Sequence, residues 1–185
     1  MSVQVKTAIR STIEDLYAVE GKAELINGEI IKFMATGFLP NRAAGRIYRS
    51  LGNYEDEHGG GFALSDNVGF HVDLPHRESF SPDAAWYIGQ NTGMKFPEGA
   101  PIFAVEVRSE NDYGRAAERE IEAKRDDYFS AGTLVVWDVD ILSDDVVKCY
   151  RWDSPDEPRI FRRGEIADAE PAVPGWRLAV DILFR

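Results

Sequence analysis

The chain has 185 residues, 44% of them hydrophobic and 29% charged, with a formal net charge of −11. That length suits one compact domain with a real core and is short for two. The acidic balance argues against a protein that coats nucleic acid through a general basic surface, but does not exclude a phosphodiester-cleaving metal site, which is itself acidic.

No apolar stretch approaches the roughly 18 residues that a bilayer span needs, and MSVQVKTAIRSTIEDLY lacks the continuous apolar core of a signal peptide. Cys149 is the single cysteine, so no internal disulfide can form and a reducing cytoplasm is the expected location. Within VVKCYRW it reads as a packed strand residue.

STIEDLYAVE predicts a first helix, with Ser11 as N-cap, Glu14 three residues on, and Ile13, Leu16 and Tyr17 on one face. AELINGEIIKFM predicts a hairpin turning at Asn27-Gly28. Pro40 and Asn41 open a second helix carrying Ala44, Ile47, Tyr48, Leu51 and Tyr54 at helical spacing, ended by Gly59, Gly60 and Gly61. Strands follow in GFALSDNVGFHVDL, in SPDAAWYIG (Ala84, Trp86 and Ile88 on one face) and in IFAVEV. Helical period returns from Arg115 to Ala131 and stops at Gly132. LVVWDVD and VVKCYRW are strands linked by ILSDD; the tail predicts a hairpin around Arg163-Gly164 and a last strand in WRLAVDILF. With no repeat or linker, the expectation is one α/β (α+β) domain over residues 1–185 with a mixed sheet.

Glu106 lies in the middle of the apolar run PIFAVEVRSE, where an unpaired carboxylate is costly. Asp83 follows Pro82 at the start of the preceding strand; if the two strands are neighbours, both carboxylates face one cleft. Ala117, Ile121, Lys124 and Tyr128 share a helix face that should pack on the sheet and bring an ammonium to the acids. Two carboxylates hold Mg²⁺ together with waters and a phosphate oxygen, and a lysine beside them orients or deprotonates the attacking water.

PD followed by E-x-R on the next strand resembles the PD-(D/E)XK nuclease superfamily. More specifically, the chain resembles its widespread Uma-two family of restriction-endonuclease-like proteins. The matching segments are, in order, AELINGEI, SPDAAW, AVEVRS, KRDDYFSAG, VVWDVD and GWRLAVDILF. The resemblance implies a restriction-endonuclease-like mixed central sheet flanked by helices, with an N-terminal helix and β-hairpin. It also implies a metal-dependent endonuclease: Asp83 and Glu106 as ligands of Mg²⁺ or Mn²⁺, Lys124 as a catalytic lysine placed on the helix, Glu24 as a further acid at the site, and DNA as substrate. Two features depart from the pattern. Arg108 stands where the superfamily usually has its lysine and should share the face of Glu106, as a second cation or as a partner of the acids. ENDYGRAAEREIEA replaces a short link, with Glu120 where the family often has aspartate.

Each site residue also has a bland counterpart: Asp83 as a turn residue, Glu106 as a solvent-facing strand position, Lys124 as a surface partner of Glu120, Asp127 or Tyr128, and Glu24 as a strand-edge charge. His58, His71 and His76 are isolated and do not suggest zinc. Asp138, Asp140, Asp144 and Asp145 read as a solvated strand end and turn rather than a calcium loop. The alternative of a different class is a nuclease fold that no longer cuts and acts in binding or assembly; a metal-free carboxylate-pair glycosidase is a remote third. A homodimer is expected, because cutting a duplex generally needs two sites.

Overall fold

A computed structural model of the chain describes residues 10–185; the first nine residues of the segment tested above for a signal peptide lie outside them. The first helix, α1 (Ile13–Tyr17), is capped one residue later than expected. Thr12 is the N-cap and Asp15 closes the capping box, so Ser11 and Glu14 play neither part. The hairpin of β1 (Ala23–Ile26) and β2 (Glu29–Lys32) turns at Asn27 and Gly28, both at positive φ, as a tight two-residue turn requires. The long helix α2 (Phe38–His58) starts two residues before Pro40, which falls in the first turn, where its missing N–H costs nothing.

Two sheets follow from the remaining elements. β4 (Phe70–Leu74) and β5 (Arg77–Phe80) join the hairpin in an antiparallel sheet ordered β2-β1-β5-β4. The main sheet is built from β3 (Phe62–Ser65), β6 (Ala84–Tyr87), β7 (Phe103–Val107), β8 (Val135–Val139), β9 (Val147–Arg151) and β10 (Ser154–Phe161). Its order is β10-β9-β8-β7-β6-β3, antiparallel except for β7 and β8. That parallel pair is joined through α3 (Arg115–Ser130), the crossover that a parallel connection demands.

Alternation along the central strands assigns the two faces. Ala84, Trp86, Phe103, Val105 and Val107 pack with Ala43, Ala44, Ile47 and Leu51 of α2. Ala85, Tyr87 and Ala104 pack on the opposite side with Phe70, Phe80 and Tyr128. β6 stops at Tyr87, so Ile88 is exposed and does not continue the face of Ala84 and Trp86.

The C-terminal part differs from expectation in two ways. The turn near Arg163-Gly164 exists, with Glu165 N–H donating to the Arg162 carbonyl, but it leads from β10 to β11 (Ile166–Asp168), which pairs with β12 (Arg177–Ala179) instead. WRLAVDILF is strand only as far as Ala179; Val180–Phe184 is a 3₁₀ helix that buries Val180 and Leu183. Cys149 is buried in β9, and burial pushes its thiol up to about 11, which suits a packing role. Among the described residues no helix is long and apolar enough to cross a membrane.

Candidate active site

β6 and β7 are antiparallel neighbours with Ala84 opposite Val105 and Ala85 opposite Ala104. One step beyond that ladder, Asp83 comes alongside Glu106, on the face turned toward α3 and the second sheet. The Asp83 N–H donates to the Val105 carbonyl (2.9 Å), and its Oδ2 accepts from the Val107 N–H (2.7 Å), so the backbone of both strands fixes this carboxylate.

Lys124, in the second half of α3, reaches the same place. Its Nζ lies 2.8 Å from Glu106 Oε1 and 2.9 Å from Glu24 Oε1. Its partners are therefore on strands, not Glu120 or Asp127 of its own helix. The Tyr128 hydroxyl donates to the same Glu106 oxygen (2.7 Å), and its ring is fully buried, stacked 4.1 Å from Phe80. Glu106 Oε2 takes no hydrogen bond from the described residues.

Glu24 is 0% exposed, so it is no strand-edge charge. Lys124 and the Ser81 N–H (2.9 Å) hold Oε1, and Arg77 Nη1 (2.6 Å) holds Oε2. Arg77 in turn donates from Nε to Asp127 (2.7 Å), whose other oxygen lies 2.6 Å from His76 Nε2. On the far side, Lys22 Nζ bridges Asp83 Oδ1 (2.6 Å) and Asp66 (2.7 Å). The result is a series of charges running from Asp127 and Arg77 through Glu24, Lys124, Glu106 and Asp83 to Lys22 and Asp66, alternating in sign except where Glu106 meets Asp83.

Electrostatics separates the two glutamates. Burial raises the Glu106 carboxyl above its ordinary value; Lys124 opposes this and Asp83 reinforces it. Burial also works against the Glu24 charge, but Lys124 and Arg77 outweigh it and hold that carboxyl below its ordinary value. Burial opposes the Lys22 and Lys124 charges too, yet the carboxylates facing them hold both ammonium groups above the usual lysine range. Both lysines are therefore charged at neutral pH.

Arg108 is not at this site. It makes a two-pronged pair with Asp138 (Nε to Oδ1 and Nη2 to Oδ2, both 2.7 Å) and binds Glu118 near the start of α3. It fastens the end of β7 to β8 and α3, so it pairs with acids other than Asp83 and Glu106. Asp138 and Asp140 are correspondingly buried rather than solvated: Asp140 accepts from the Tyr113 hydroxyl (2.9 Å) and the Leu142 N–H (3.0 Å).

The sequence reading missed Lys22, Arg77, Asp66 and Asp127. Lys22 had a usable signal, since it stands two residues before Glu24 and strand alternation directs both to one side. Arg77 in HRESF had none, because nothing in that stretch distinguishes a buried arginine from an exposed one.

Among the described residues no three His, Cys, Asp or Glu side chains converge as a metal cluster. Mg²⁺ does not require one: it keeps several waters and takes one or two carboxylates plus substrate phosphate. The donor set here suits that habit. Five carboxyl groups (Asp66, Asp83, Glu24, Glu106 and Asp127) share the three cations Lys22, Arg77 and Lys124, so acids outnumber bases in the series. Glu106 Oε2 is an open acceptor within that charged cleft. Hard oxygen donors and an excess of acids over bases fit Mg²⁺ or Mn²⁺.

Residues 12–181 match the model of the Uma2 family, described as putative restriction endonuclease. Among solved structures, the chain is similar to the crystal structure of a putative nuclease belonging to DUF820 from Anabaena variabilis ATCC 29413. The TM-score is 0.71 at 16% sequence identity, over 94% of this chain and 97% of that one. No curated protein matches the sequence.

Proposed function

The chain belongs to the Uma2 family of restriction-endonuclease-like nucleases, and from that premise we propose that it is a Mg²⁺- or Mn²⁺-dependent endonuclease hydrolysing DNA phosphodiester bonds. The observation that carries the reading is the convergence of Asp83 and Glu106 from adjacent strands with Lys124 from α3. Asp83 and Glu106 would hold the metal, which when bound would supply Lewis-acid stabilisation of the charge developing on the phosphorus oxygens.

The protein's own groups carry the rest. Lys124 stands where it can orient a water for in-line attack and add positive charge beside the phosphate. Glu24 is a positioning residue: saturated by Lys124, Arg77 and Ser81, it fixes the ammonium rather than meeting substrate. Tyr128 keeps Glu106 oriented by donating to Oε1, leaving Oε2 open. Phosphate contact of this kind positions a duplex without reading its sequence.

The experiment is plasmid cleavage with Mn²⁺. Wild type should nick or linearise supercoiled DNA, EDTA should stop it, and Asp83→Ala and Lys124→Ala should each lose at least two orders of magnitude, roughly the contribution of one positioned catalytic group. Equal cleavage by wild type and Asp83→Ala would overturn the assignment.

One observation favours a second reading, a nuclease fold used for binding alone. Lys22 already neutralises Asp83 at 2.6 Å, so a cation must displace or share that pair. If Mn²⁺ does not bind, this reading replaces the first. An active enzyme that cuts both strands is further proposed to be a homodimer, which brings one site to each strand. Light scattering at micromolar concentration should give twice the chain mass; a single-chain mass would remove this part.

A further inference from the structure

On a chain with net charge −11, one helix face is basic. Arg42, Arg46 and Arg49 stand at i, i+4 and i+7 of α2 and form one stripe beside its buried face. Together with Phe38, Asn41 and Gly45 they line an open groove of about 370 Å³. None of the three arginines makes an ion pair with a described Asp or Glu side chain. Arg42 Nε (2.6 Å) and Arg46 Nη2 (3.1 Å) converge on the main-chain oxygen of Arg185, and Arg49 makes no hydrogen bond among the described residues. The groove thus already gathers guanidinium groups around an oxygen acceptor and has further donors to spare.

This charge distribution does not serve the helix. α2 has no acidic residue in its first turn, where a carboxylate would be favoured, and places Glu55, Asp56 and Glu57 at its C-terminal end, where carboxylates are disfavoured. Gly45 weakens the helix interior without any packing reason, since a Cβ there would meet nothing within 4 Å. A bare Cα at this position lets another molecule approach the backbone between Arg42 and Arg49. The buried face of α2 packs on the side of the main sheet opposite Asp83 and Glu106, so the groove lies apart from the candidate site. Phe33 lies under the Lys124 ammonium (5.7 Å to the ring centre) and Phe38 is five positions further on, so only the start of α2 comes within about 17 Å of that ring.

We propose that the Arg42–Arg46–Arg49 groove binds the phosphodiester backbone of a DNA duplex and so retains the substrate on the protein; this rests on the nuclease reading. Guanidinium groups recognise phosphate by paired, charge-assisted hydrogen bonds, and a stripe with helical spacing follows a line of successive phosphates better than a single compact anion. Because the chain as a whole is acidic, local placement of positive charge has to do what a general basic surface does elsewhere.

The test is fluorescence anisotropy of a short labelled DNA duplex titrated with full-length protein in EDTA, so that nothing is cleaved, over a series of salt concentrations. Replacing all three arginines by alanine should weaken binding roughly tenfold or more and flatten the log–log salt slope by about 0.9 for each phosphate that is no longer neutralised. Should that variant melt early, because Arg42 and Arg46 also hold the main-chain oxygen of Arg185, Arg49→Glu serves alone and should still weaken binding several-fold. Unchanged binding by folded variants, or no duplex binding by wild type, overturns the proposal. Displacement of the duplex by polyglutamate as readily as by unlabelled duplex also overturns it, pointing to an acidic protein partner. Plasmid cleavage with Mn²⁺ keeps the two readings apart: binding that needs the arginines without any cleavage leaves the groove standing and removes the nuclease reading, while cleavage with arginine-independent binding does the opposite.

Discussion

Replacing Glu24 by alanine is expected to destabilise the protein by about 3 to 5 kcal/mol, because it leaves Arg77 and Lys124 short of a buried counter-charge. For a chain of this size that lowers the melting temperature by roughly 10 °C. The side chain is fully buried, and every hydrogen bond it accepts crosses between elements: Lys124 from α3, Arg77 from β5 and the Ser81 N–H just after it. Glu24→Gln keeps an acceptor for Ser81 and should cost less. The pH dependence has a definite sign. Glu24 titrates below its ordinary value near 4.5 in the folded chain, so between the two values the unfolded chain binds more protons. Its contribution is complete above about pH 4.5 and is lost as pH falls through the folded value. Urea titrations of wild type and Glu24→Ala at neutral pH and near pH 4 check this; a difference under about 1 kcal/mol at neutral pH would show that the charge series is not coupled to stability.

Glu106→Gln is expected to behave in the opposite way. It should abolish cleavage and the rise in melting temperature on adding Mn²⁺, yet leave the protein in EDTA as stable as wild type or more so. Burial and Asp83 raise the Glu106 carboxyl above its ordinary value, so the folded chain binds more protons than the unfolded chain just above pH 4.5. Ionised Glu106 therefore costs stability as pH rises through that window, and a neutral isostere removes the cost. Lys124 keeps Glu24, and Tyr128 keeps an acceptor in the amide oxygen. A loss of about 1 to 3 kcal/mol in EDTA would instead mean that Glu106 exists to pair Lys124 and that the carboxylate is structural.

The contrast between these two glutamates explains what could be read from the sequence. Asn27-Gly28, the apolar run holding Glu106 and the helical period through Lys124 are local signals, and each appears where its pattern put it. Asp83 and Glu106 meet because β6 and β7 are neighbours, which chain order made the simplest arrangement. β5 and β10 were not legible. RESF opens with an arginine that is buried only because Glu24 and Asp127 arrive from other elements. SPDEPRIF carries two prolines, which mark a turn unless the strand lies at an edge with a bulge, as β10 does. WRLAVDILF kept its apolar pattern past the end of β12, but the same residues bury Val180 and Leu183 as well from a 3₁₀ helix. Arg108 shows the limit of motif position: strand alternation gave it the face of Glu106, but Asp138 and Glu118 draw it away.

Titration calorimetry of Mn²⁺ into wild type, Asp83→Ala and Glu106→Gln tests the metal site most directly, because it needs no substrate. Asp83 and Glu106 as joint ligands predict binding to wild type at sub-millimolar concentration and none to either variant. Wild type that takes up no Mn²⁺, or variants that bind it as tightly as wild type, would contradict the account.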